Sequence, residues 1–80
     1  MNRNYSLSFE DFKSLLAHIS RHHIYQIADD LNLIASSKNK LWRFIDNEGR
    51  IIPEIQVFEW IQHDRILRGK VYNLFMSYFR

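Results

Sequence analysis

IYQIADDLNLIASSKNKLWRFI, residues Ile24 to Ile45, is the stretch whose reading decides the fold. Ile24, Ile27, Ala28 and Leu31 recur at three- and four-residue spacings, so the first part reads as the inner face of a short helix. Gln26, Asp29 and Asp30 then point outward. Ala28 is small enough for a close helix crossing, Asn32 suits the left-handed conformation that ends a helix, and Leu33 plugs the turn. Beyond Ile34-Ala35-Ser36-Ser37, with Ser36 or Ser37 as N-cap, a further short helix is expected with Leu41, Phe44 and Ile45 inward. Lys38, Asn39, Lys40 and Arg43 fall in its first two turns or on its outer face, and Trp42 points partly outward.

A second reading exists for the end of this stretch. Asp46-Asn47-Glu48-Gly49-Arg50 closes the element, with Gly49 as the natural left-handed residue after a helix. The same five residues fit a hairpin turn between Leu41–Ile45 and Arg50–Ile52, which would put Arg43 and Arg50 on a short β wing near 41–52. The apolar spacing favours the helix, although Trp42-Arg43-Phe44 alternates as a strand does.

Working outward toward the N-terminus, Ser8 is a good N-cap, Asp11 sits at N3, and Leu7 and Phe12 occupy the staple positions. Phe9, Phe12, Leu15, Leu16 and Ile19 continue the pattern and predict a helix over about Phe9 to Ser20. Residues 1–6 are polar and expected to fray. Arg21-His22-His23 reads as a basic C-terminal turn or link. His18 and His22 have the four-residue spacing of a metal pair, but Asp11 and Asp29 are the nearest acids and no third ligand stands with them.

Toward the C-terminus, Pro53 and Glu54 suit a helix start. Ile55, Phe58, Ile61 and the stem of Arg65 follow one face, with Val57, Trp60 and Asp64 on a neighbouring one. Gly69 marks a break or a close crossing, and Val71, Leu74, Phe75 and Tyr78 give a last helix to about Phe79. The expected fold is all-α: residues 1–80 as one small bundle of four to five helices, with the short wing as the alternative at 41–52.

Composition bounds the function. Eighty residues with 46% apolar and 25% charged side chains describe one ordinary globular domain, while 15% aromatic residues are more than ordinary. Folding costs about 1.5 kcal/mol per ordered residue, which leaves a chain this short little stability to spare, so a homodimer covering part of the aromatic surface is expected. The absence of cysteine excludes disulfide scaffolds and thiolate zinc sites and is compatible with a cytoplasmic location. No apolar run is long enough for a membrane helix, and the N-terminus lacks the apolar core of a signal peptide. Without a metallohydrolase motif, a phosphate loop or a serine elbow, no enzyme, catalytic residue, metal or cofactor is expected.

The pattern of Ile27-Ala28, Leu31, Leu33, Leu41, Arg43 and Phe44 resembles, in a general way, the helix-turn-helix of bacterial transcription regulators. The resemblance covers about 20 residues, and the connection through Ile34-Ala35-Ser36-Ser37 is about two residues longer than that motif ordinarily has. It implies a DNA-binding (or RNA-binding) regulatory protein, with Lys38, Asn39, Lys40, Arg43 and Arg50 as the nucleic-acid-binding residues. The run from Leu41 through Pro53 is also similar to the middle of a small-subunit ribosomal protein family that binds ribosomal RNA. Here Glu54 and Ile55 stand where that family has paired arginines.

Charge tempers the nucleic-acid reading, since eleven basic and nine acidic side chains leave only +2. Basic residues cluster around Lys38–Arg50 and around Arg65, Arg68 and Lys70. The competing expectation is a protein-interaction module, an inhibitor or adaptor docking on a larger protein through Trp42, Trp60, Tyr72 and Arg68.

Overall fold

A computed structural model describes residues 7–39 and 41–79 of the chain. The expected fraying of residues 1–6 and the role given to Lys40 therefore fall outside the described residues. Four helices and a small three-stranded antiparallel sheet make up the fold.

Helix α1, Phe9–His18, begins where its capping signals place it. The Ser8 hydroxyl accepts the Asp11 N–H at 3.1 Å and the Asp11 carboxylate accepts the Ser8 N–H at 3.5 Å, a reciprocal capping box. Helix α1 ends two residues earlier than the apolar spacing suggests, because Ile19 and Ser20 turn extended. Ser20 then stands at the N-cap of α2, Arg21–Asp30, so Arg21-His22-His23 is the first turn of this helix and not a link. The change separates His18 and His22 onto different helices, which removes the four-residue geometry of a metal pair.

At the C-terminus of α2, Asn32 has φ 59°. Its N–H donates to the Asp29 carbonyl at 3.1 Å, and the Leu33 N–H donates to the Ala28 carbonyl at 2.8 Å. These are the two bonds of a Schellman cap, with Leu33 buried at the position that customarily packs back on the helix.

The chain then departs from the favoured helical reading. Ile34–Lys38 is strand β1, Leu41–Ile45 is strand β2 and Ile51–Ile52 is strand β3, in the order β1-β2-β3. The Lys38↔Leu41 register makes the first connection a tight one, and Asn39 has the positive φ of 55° that tight hairpins select. Ser36 and Ser37 are accordingly strand residues paired with Arg43 and Trp42, not helix caps. The second connection is the Asp46–Arg50 turn, in which Gly49 (φ 82°) donates its N–H to the Asp46 carbonyl at 3.0 Å. The short wing of the alternative reading thus exists, and it has a third strand that Ala-Ser-Ser gave little reason to expect.

Helix α3, Glu54–His63, follows Pro53, and α4, Arg65–Phe79, runs on without interruption. The break lies at Asp64, whose carboxylate accepts the Leu67 N–H at 3.0 Å as an N-cap. Gly69 neither breaks the helix nor admits a close neighbour, since a Cβ placed there meets nothing within 4 Å.

The core draws on every helix and on the sheet. Phe12, Leu15, Ile24, Phe44, Val57 and Ile61 are fully buried or nearly so. Phe58 packs its ring 5.6 Å from both Phe9 and Phe12, joining α3 to α1. Leu41 and Ile45, expected inward, behave otherwise: Leu41 is exposed and Ile45 half-buried, because strand alternation sends them to the face opposite Phe44. Phe44→Ala and Phe12→Ala should each cost about 3–5 kcal/mol. A thermal melt should fall by more than about 10 °C for each, and a shift within two degrees would remove either residue from the core.

Candidate functional site

Strand alternation gives the sheet two chemically distinct faces. Ala35, Trp42, Phe44 and Ile52 lie on the inner face and pack on the helical core. The outer face carries Ile34, Ser36, Lys38, Leu41, Arg43, Ile45 and Ile51. Ile34 pairs with Ile45 and Ile45 with Ile51, so three isoleucines form one straight cross-strand row. Ile34 and Ile51 are each 57% exposed and Leu41 is 68% exposed. The solvent face of an antiparallel sheet is ordinarily polar; this one is apolar at one end and basic toward the hairpin tip.

That tip gathers part of the expected nucleic-acid set. Lys38, Asn39 and Arg43 are exposed, and Lys38 and Arg43 share the outer face without a carboxylate partner among the described residues. They sit on a hairpin, so no recognition helix carries them. Arg50 is at the other end of β2, in the Asp46–Arg50 turn, where its Nε lies 3.2 Å from Asp46 Oδ2 and its guanidinium also pairs with Glu48. The fold therefore brings Lys38 and Arg43 together and leaves Arg50 level with Asp46, along the strand by five residues (roughly 17 Å) from Lys38 and by three (roughly 10 Å) from Arg43.

The second basic cluster is largely engaged within the fold. Lys70 lies 3.4 Å from Asp30, and Arg68 donates to the Gln62 carbonyl at 3.2 Å, tying α4 to α3. Arg68 thus has a structural contact where a partner contact was expected. Trp42 is half-buried and meets Tyr25 of α2 edge-on at 5.6 Å, which pins the sheet to that helix. Trp60 remains 39% exposed on α3, and Tyr72 is half-buried with interactions of its own in the fold. Trp42, Trp60, Tyr72 and Arg68 are distributed over β2, α3 and α4.

Between α2 and α4 lies a cleft of about 550 Å3. Ile27, Leu67, Val71 and Leu74 supply its apolar lining, and Asp29 and Asp30 stand on its rim. The Lys70–Asp30 pair and the His23–Tyr78 ring contact at 6.3 Å also join α2 to α4. Among the described residues no group of three or more His, Asp or Glu is placed to hold a metal ion. No helix among them is long and apolar enough to cross a membrane.

The isoleucine row was the feature that sequence reasoning missed. Its signal was present in the hairpin alternative, because a turn at Asp46–Arg50 sets Ile45 opposite Ile51. Ile34 had no comparable signal, since it joins the row only through pairing with β2. Comparison with protein-family models, curated proteins and solved structures returns no match.

One titratable group in this region is tuned. Asp46 Oδ1 accepts the N–H groups of Arg50 and Glu48, both at 2.9 Å. The Arg50 backbone N–H chiefly, with the Glu48 N–H and the Arg50 guanidinium, holds the Asp46 carboxyl below its ordinary range. A carboxyl with a depressed folded pKa adds stability above its unfolded value, near 3.9, and loses it as pH falls through the folded one. The Tm difference between the native protein and Asp46→Asn, measured from pH 6 to pH 2, should therefore shrink below about pH 4. A constant difference across that range would show that the turn does not depend on the ionised carboxylate.

Proposed function

We propose that this chain is a small non-catalytic interaction module of a regulatory kind, and that it docks on a protein surface through the outer face of its sheet. The observation that carries the reading is the exposed isoleucine row Ile34–Ile45–Ile51, extended by Leu41 on the same face. Complete burial of an isoleucine or leucine is worth about 1.5–3 kcal/mol, so the exposed Ile34 and Ile51 flanking half-buried Ile45 make an apolar patch with a tendency to be covered. The patch lies on a hydrogen-bonded sheet, so little ordering entropy is lost on docking. Lys38 and Arg43 at its margin favour a partner surface with carboxylates around an apolar centre.

A second reading rests on the hairpin tip. Lys38, Asn39 and Arg43 are neighbours there by sequence or register, and they fit contact with the phosphates of DNA or RNA. It is the weaker reading because Arg50, Lys70 and Arg68 already have partners inside the fold, and the formal charge is only +2.

Two experiments separate them. In a nuclease-treated pull-down from source-cell lysate, the tagged chain should retain a protein partner that Ile34→Glu and Ile51→Glu lose while keeping native circular dichroism. Equal recovery by both variants would overturn docking at this face. In a gel-shift titration, nucleic-acid binding through the tip requires Lys38→Ala with Arg43→Ala to lower the salt slope of the affinity by about 2. An unchanged slope, or no complex at low salt, rules the tip out.

A further inference from the structure

The outer face of the sheet carries a pattern that specifies its own complement. The three isoleucines lie in one line across β1, β2 and β3. On one side of that line, two residues along β2, stands Arg43; on the other side the strand enters the Asp46–Arg50 turn. That turn holds two carboxylates, Asp46 and Glu48, against the one guanidinium of Arg50, and Glu48 is 69% exposed.

From this layout, and building on the docking reading above, we infer that the occupant of the face is a second copy of this chain, packed sheet on sheet about a two-fold axis along the isoleucine row. An axis in that position sets Ile34, Ile45 and Ile51 against the same residues of the other copy, as an isologous contact requires. It also carries each residue of β2 to the mirror distance beyond Ile45. Arg43, two residues before Ile45, comes to lie over position 47 of the partner, between Asp46 and Glu48. Each guanidinium thereby meets an acidic turn, and like charges do not oppose one another. An axis through Arg43 would instead oppose the two guanidinium groups and set Ile45 over Leu41, which the charge pattern disfavours.

Size sets the strength. Three strands about 4.8 Å apart and at most five residues of about 3.3 Å, with β3 only two residues long, give a footprint of at most about 14 by 17 Å. That is roughly 240 Å2 per copy, well under the area of a standard interface, so the dimer should be weak and reversible. Ser36, which pairs with Arg43 on the same face, adds no bulk that would hold the sheets apart.

The test is sedimentation equilibrium of the purified full chain across about 1 μM to 1 mM, with circular dichroism to check folding. The native protein should pass from monomer to dimer, and Ile51→Glu should be monomeric throughout. Ile34→Ser, on a different strand, provides the same test should Ile51→Glu lose native dichroism. Arg43→Glu and Glu48→Lys should each weaken the dimer at least tenfold, and the double variant should recover most of that loss. A native protein that stays monomeric at 1 mM, or a dimer indifferent to the face variants, overturns the second copy as occupant. Weakening by both single charge variants without recovery in the double overturns the axis along the isoleucine row. Should the native chain be monomeric while the lysate partner is still lost from Ile34→Glu, this inference fails and the docking reading stands.

Discussion

The sheet is held to the helices by its inner face, and the rest of the molecule depends on that attachment. Phe44 is fully buried in the common core, with Ala35, Trp42 and Ile52 packed beside it. Three short strands alone would be marginal in water. Burying one large aromatic ring among Ile24, Val57 and their neighbours gives the sheet a fixed seat, and the Tyr25–Trp42 contact fixes it against α2. Once Phe44 is inside, the pleat leaves no choice about its neighbours: Arg43 and Ile45 must point the other way.

That constraint explains why an apolar row lies on the surface. Ile45 cannot join the core without withdrawing Phe44, and Ile34 and Ile51 are bound to Ile45 by register. A sheet meant only to cap the helices would carry polar residues at these positions. Isoleucine at all three makes the outer face a candidate binding surface, and Lys38 and Arg43 give it an electrical direction.

Electrostatics elsewhere work mainly to organise the fold. Asp46 closes the turn before β3 by accepting two backbone N–H groups, Asp64 caps α4, and Lys70 reaches across to Asp30. Such exposed ion pairs contribute little stability individually. Their consequence here is that several of the basic residues available to a nucleic acid already have neighbours in the fold, while Lys38 and Arg43 have no carboxylate partner among the described residues.

Much of the helical framework was legible in the residues themselves. Ser8 and Asp11 announce the start of α1, Pro53 and Glu54 the start of α3, and Asn32 with Leu33 the end of α2, because caps are local bonds between near neighbours. Leu41–Ile45 was not legible in the same way. Its apolar positions satisfy a helical and an alternating period over so short a run, and five residues do not distinguish the two. Pairing with Ile34–Lys38 and Ile51–Ile52 decided it, together with the space among the helices that Phe44 fills. The sequence by itself determined where α1 and α3 begin and how α2 is capped. Only the tertiary structure decided that the central stretch is a hairpin and that its isoleucines face outward, because register is a relation between strands that no single segment contains.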